Sequence, residues 1–261
     1  YSGLADRIAE SCTEMHLAGA GAARPIYEKM LAAARKLDID RNDRTSQVDL
    51  GQALLRMGCL EENEGNYKEA MTLLNEGLER TRRFAEAESA STGLLLLRAN
   101  LHVRYGRALL GTGRAQEALT QYQRSLDAIR IVDRRAPGLA DTQSRKLSIY
   151  GRMAEVFGRL GNRAGLDGLA VETKRLLQAV DTGASGAKPM PPSALAASAI
   201  APQWFGNAYR QLHDEATACS WWQQSAVAWQ RMETVAKSVP AGFNELRQQA
   251  EHHAATCRRG K

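Results

Sequence analysis

The 261 residues, 44% hydrophobic and 25% charged, supply a buried core for one elongated domain or two compact ones and exclude a disordered chain. A net charge of +6 raises nucleic acid or anionic lipid as partners. The basic residues are scattered in short runs (Arg80 to Arg83, Arg130 to Arg135, Arg258 to Arg259) without interleaved aromatics, so they read as solvated faces and helix ends, and nucleic acid is not expected.

The chain opens on Tyr1 with no charged-then-apolar leader, which suits an excised domain or a processed chain. The run Leu94 to Leu97 is cut by Arg98, and no segment approaches the roughly 20 apolar residues of a membrane helix. In chain order, the first element with a clear pattern is Arg24 to Leu37, which superimposes on Met71 to Phe84 so that Tyr27 meets Leu74 and Leu31 meets Leu78. It reads as the second half of a degenerate end repeat, about 4–40.

The stretch Leu54 to Leu78 holds two glycines seven residues apart, then an apolar helical pattern. Gly58, Gly106 and Ala154 follow one another at intervals of 48 residues, and Gly65, Gly113 and Gly161 end the first helix of each unit at the same interval. Ala70, Ala118 and Leu166 open the buried face of each second helix. A further unit centres on Gly206, with Ala218 and Trp222 at the phases of Ala70 and Leu74. The four residues by which its spacing exceeds 48 fall near the loop 182–193, rich in glycine, proline and small residues. The units are therefore placed at about 4–40, 46–88, 94–136, 142–181 and 194–233 of a single domain, 1–261. After a proline turn at Pro240, a polar amphipathic helix over 241–258 with Phe243, Leu246 and Ala250 on one side suits a cap over the last apolar face.

These residues resemble the tetratricopeptide repeat family: Gly58, Gly65, Tyr67, Ala70, Leu74 and Gly77 in the second unit; Gly106, Gly113, Ala118, Tyr122 and Ser125 in the third; Gly206, Ala208, Tyr209, Ala218, Trp222 and Ser225 in the last. The resemblance implies an all-α, right-handed solenoid of four to five helix-turn-helix repeats, with helices longer than the family's usual ones, binding a protein or peptide in a concave groove. The ligand-facing phases of the family fall on Leu55, Cys59, Glu62 and Asn63; Asn100, Val103, Arg107 and Leu110; Ser148, Glu155 and Arg159; and Gln203, Asn207, Arg210 and Gln211. Arg107, Arg159 and Arg210 can each hold a carboxylate or phosphate, or pair with acidic neighbours such as Glu155. Leu55 and Cys59 stand where the family's two-carboxylate clamp needs basic and amide side chains, so chaperone tails are not expected.

The chain offers no nucleotide loop, nucleophile elbow or metal-spaced array, so no enzyme activity, cofactor or metal is expected. His253 and Cys257 have the i, i+4 spacing of a shared metal, but two ligands make no site. His16, His102 and His213 are isolated, and Glu61, Glu62 and Glu64 read as a solvated helix end. All four tryptophans lie between residues 204 and 229. Trp222 and Trp229 share a helix face and read as core, while Trp204 and Trp221 are the candidates for an exposed aromatic contact.

The midpoint of Cys219 and Cys257 is residue 238, so a hairpin turning near Ser238 to Pro240 brings them level on antiparallel helices, where they could bond. Cys12 and Cys59 occupy equivalent positions on neighbouring first helices, a harder pairing. The phrase Trp221, Trp222, Ser225, Trp229 also resembles the closing repeat of the helical regions appended to bacterial serine/threonine kinases. That implies a sensor or docking region of a larger signalling protein; with a membrane helix between kinase and repeats, the repeats would lie outside the cytoplasm. The alternatives are a receptor domain that closes around a small molecule or peptide signal, marked by a deep pocket beside Trp204 and Arg210, and a nucleic-acid scaffold, suggested by charge alone.

Overall fold

The computed structural model describes residues 20–87, 89–137, 140–181, 192–236 and 243–259. Cys12, His16, residues 4–19 of the first repeat, most of the 182–193 loop and the turn at Ser238 to Pro240 lie outside the described residues. The described residues are all-α, a helical-repeat fold. The chain falls into two compact units, Tyr1–Val132 and Asp133–Lys261.

The first unit is built from α1 (Ala20–Leu37), α2 (Arg44–Asn63), α3 (Tyr67–Glu86), α4 (Thr92–Gly111) and α5 (Ala115–Arg135), whose last turn crosses the boundary. The second holds α6 (Ala140–Arg159), α7 (Arg163–Asp181), α8 (Pro192–Gln211), α9 (Glu215–Ala236) and α10 (Asn244–Arg259).

Each hairpin turn closes the same way. The turn residue takes a left-handed backbone, φ 81° at Gly65, 80° at Gly113 and 66° at Gly161. The next residue's N–H returns to a carbonyl five residues back: Asn66 to Glu61 at 2.8 Å, Arg114 to Leu109 at 2.9 Å, Asn162 to Phe157 at 2.9 Å. This closure uses the helix's orphan carbonyls and favours glycine, which has no Cβ to clash at positive φ. The fourth turn does it with His213, φ 58°, and Asp214 N–H to Tyr209 O at 3.0 Å. In the last two hairpins a polar side chain then starts the next helix: Asn162 accepts from Gly165 N–H at 2.9 Å, and Asp214 from Thr217 N–H at 3.0 Å.

Within a hairpin, a glycine on the first helix faces a bulky residue sixteen positions later on the second. An added Cβ would come 2.6 Å from Leu74 Cγ at Gly58 and 2.6 Å from Tyr122 Cε1 at Gly106, and would strike the Trp222 indole at Gly206. In the third hairpin the two corresponding positions are alanines, Ala154 and Ala170, each buried. On the second helix of each hairpin a second small-residue phase recurs as Gly77, Ser125, Thr173 and Ser225. The buried hydroxyls of Ser125 and Ser225 donate across to Ala99 O at 2.9 Å and Ala199 O at 2.7 Å.

In the first unit, Tyr27, Leu31, Leu50, Leu54, Leu60 and Leu73 fill the space among α1, α2 and α3, and Leu74, Leu78, Leu94, Leu97 and Leu101 that between α3 and α4. In the second, α8 packs on both α6 and α9, and α10 lies along α9, where Phe243, Leu246 and Ala250 meet Trp229 and Met232. No described helix is long and apolar enough to cross a membrane.

Candidate ligand-facing surfaces

In the first unit the first helices α2 and α4 pack together, and several positions carried over as ligand-facing are core. Leu55, Cys59 and Leu110 are buried, Cys59 completely. Glu62, whose side chain is 4% exposed, receives Arg104 Nη1 at 3.0 Å and Arg107 Nη2 at 2.7 Å. Arg107, half-buried on α4, therefore carries an intramolecular carboxylate. Asn63, half-buried, approaches Cys59 Sγ through Nδ2 at 3.8 Å, and Asn100 and Val103 are half-buried on α4.

The solvated acidic helix end expected at Glu61 and Glu62 is corrected by the same packing. Glu61 is 6% exposed and accepts from Arg24 Nη1 at 2.7 Å and Asn66 Nδ2 at 2.8 Å; Glu64, exposed, also pairs with Arg24. Burial works against the Glu61 carboxylate, but the hydrogen bonds from Arg24 and Asn66 outweigh it and hold its pKa below the usual range. The Arg80 to Arg83 run is likewise engaged: Arg80 with Asp38 at 2.5 Å, Arg82 with Glu79 at 3.6 Å, Arg83 with Asn42 Oδ1 at 2.6 Å. His102 is buried and donates through Nδ1 to Gln121 Oε1 at 2.8 Å. Burial, with help from Arg98 and Arg124, pushes its pKa down to about 4.

In the second unit the adjacent first helices α6 and α8 present a mixed face. Glu155 is shared by Arg159 Nη2 at 2.7 Å and Arg152 Nη1 at 3.4 Å. Half-buried Trp204 lies against Gly151, where any side chain would strike its ring, and Arg152 Cζ sits 3.7 Å from the ring centroid. Asn207 accepts from Trp222 Nε1 at 3.1 Å, and Arg210 and Gln211 are exposed at the end of α8. Ser148 is exposed, but Gln203 is 1% exposed and donates to Gln249 Oε1 at 3.3 Å, so it is no ligand contact. Trp221 is also corrected: it is 1% exposed and stacks on Phe205 with centroids 4.6 Å apart.

The structure joins Cys219 and Cys257 in a disulfide, Cα atoms 5.7 Å apart. That commits Cys257 and removes it as a metal partner for His253, and no cluster of three metal-ligating side chains occurs among the described residues. One helical turn away, His253 stacks on Trp222 at 4.4 Å, and Arg210 Cζ lies 5.2 Å from the same indole. This grouping of α8, α9 and α10 was not legible as a unit; the equal height of the two cysteines is the signal that could have found it.

No protein-family model matches the chain. No curated protein matches it either. Among solved structures it is similar to BtubC (BKLC) from P. vanneervenii, with a TM-score of 0.57, 16% identity, and coverage of 92% of this chain and 90% of that one. At that identity the likeness is one of fold, and the fold it shares is an all-α helical repeat.

Proposed function

We propose that the chain is a non-catalytic, peptide- or protein-binding domain of the tetratricopeptide type, serving as the sensor or docking region of a larger signalling protein such as a bacterial serine/threonine kinase. The observation that carries this reading is the α6–α8 face. Two directly packed first helices carry a half-exposed indole, Trp204, with Asn207 one turn further along α8, Arg210 in the last turn of α8 beside Gln211 in sequence, and Arg159 in the last turn of α6. An apolar anchor ringed by charged and amide groups is what an extended peptide needs for affinity and register. The titratable groups with the clearest shifts are occupied structurally: the Tyr209 hydroxyl donates to Asp167 Oδ1 at 2.7 Å, and burial with this bond raises its pKa. The Trp221, Trp222, Ser225, Trp229 phrase supports the kinase context by resemblance, while in this fold the three indoles and the hydroxyl are packed inside.

The test is selection of binders from a displayed random-peptide library, followed by calorimetry on the wild type and on Trp204→Ala with Arg159→Ala. A selected peptide should lose roughly tenfold or more in affinity, the loss expected for an anchor worth over 1 kcal/mol. Selected peptides that bind the double variant as tightly as the wild type would reject this face, and a library that yields no binder would reject the peptide-binding reading.

A further inference from the structure

Arg210 and His253 lie against the Trp222 indole and His252 lies beside His253, and all three are of one sign when charged. Arg210 comes from the last turn of α8, and His252 and His253 from α10. The rings of His252 and His253 are 5.9 Å apart, and the Arg210 guanidinium lies over the indole, with no carboxylate partner among the described residues. Arg210 and His252 are exposed and His253 is half-buried. The platform beneath them is fixed. Gly206 leaves room for the indole, Asn207 Oδ1 holds its N–H at 3.1 Å, and the Cys219–Cys257 disulfide ties α9 to α10 one turn away.

We propose that Arg210, His252 and His253 form an oxyanion site, taking a carboxylate or phosphate group on the solvent side of the buried Trp222 indole. A guanidinium offers two parallel N–H donors to such a group, and each imidazolium adds another. The charges acting on His253 are Arg210 from α8, Glu215 from α9 and His252 from α10, while Glu251 of α10 is turned to Arg247 at 3.9 Å. Burial lowers the pKa of His253, and repulsion from Arg210 and His252 lowers it further, with Glu215 opposing. A bound oxyanion converts that repulsion into attraction, so binding takes up a proton and affinity improves as pH falls through the histidine range. The site shares Arg210 with the peptide-binding face proposed above, but small anions probe it independently, so an empty peptide library leaves it standing.

The experiment is a histidine Cε1–H NMR titration of the oxidised full chain with inorganic phosphate, and in a second arm with a short peptide bearing a free C-terminal carboxylate or its amide. Expected are saturable shifts of His252 and His253 and a rise of about one unit in the His253 pKa, equivalent to a tenfold gain in affinity on protonation. Arg210→Ala, at an exposed position, should keep the far-UV spectrum and lose the saturation; Arg210→Lys should retain part of it. A response to the free carboxylate but not to phosphate, or the reverse, identifies the source of the anion. A His253 titration unmoved by both probes, or shifts undiminished in Arg210→Ala, would overturn the site.

Discussion

Gly58, Gly106 and Gly206 each face a larger side chain across their hairpin, and the identity of that partner, Leu74, Tyr122 or Trp222, changes while the glycine does not. The backbone approach is therefore the constant of the repeat. Gly168, by contrast, sits mid-helix in α7 with nothing within 4 Å of where a Cβ would stand. Gly58→Ala should lower stability by about 1–3 kcal/mol through overpacking, while Gly168→Ala should raise it by about 1 kcal/mol, since glycine is a poor helix former and nothing opposes the methyl group. Urea unfolding of the two single variants checks both signs; a neutral Gly58→Ala would mean that Leu74 swings aside at no cost. The glycine periodicity was readable because close packing leaves a local mark in the sequence. The buried state of Glu61 and Glu62 left none: their partners Arg24, Arg104 and Arg107 lie about forty residues away, and only folding brings them within 3 Å.

At the scale of the element, α10 is the helix least able to hold itself in place. Its buried surface is supplied chiefly by Leu246, Ala250 and Ala254, with Phe243 just ahead of its first turn, and most of its remaining residues are polar and exposed. The disulfide closes a loop of 38 residues, for which chain-entropy arguments give roughly 4 kcal/mol as an upper figure. Reduction, or Cys219→Ser, should cost about 2–4 kcal/mol, and amide exchange should show α10 losing protection before α8 and α9. Uniform loss across the second unit would place the staple's effect elsewhere. The cap and its level cysteines were legible from the hydrophobic stripe and the turn, whereas Trp221 was misplaced. Neighbouring positions on a helix point apart, so an exposed side for Trp221 followed from burying Trp222; in fact α8 covers one side of α9 through Phe205 and α10 covers the other through His253 and Phe243. One helix buried on two faces is a property of the fold that its own periodicity does not report.

The molecule as a whole distributes its acid sensitivity unevenly between the two units. His102, 6% exposed in the first, has a folded pKa of about 4 against 6.5 for an unperturbed imidazole. Between those values the unfolded chain binds a proton that the folded chain refuses, so stability falls as pH drops through the window, by about 3 kcal/mol once both limits are passed. Lower still, Glu61 in the first unit and Asp133 and Asp214 in the second, held below the carboxylate range, add a further loss as they protonate. His253 in the second unit is lowered in the same direction, but it is half-exposed and its contribution is screened by solvent. The four tryptophans all lie in residues 133–261, so their fluorescence follows the second unit while far-UV circular dichroism follows both. On moving from neutral pH to pH 5, the dichroism melt should shift to lower temperature by more than the fluorescence melt, and His102→Gln should remove most of the difference. Equal shifts by the two probes, or a gap that persists in His102→Gln, would show that the buried imidazole does not set the acid limit of the first unit.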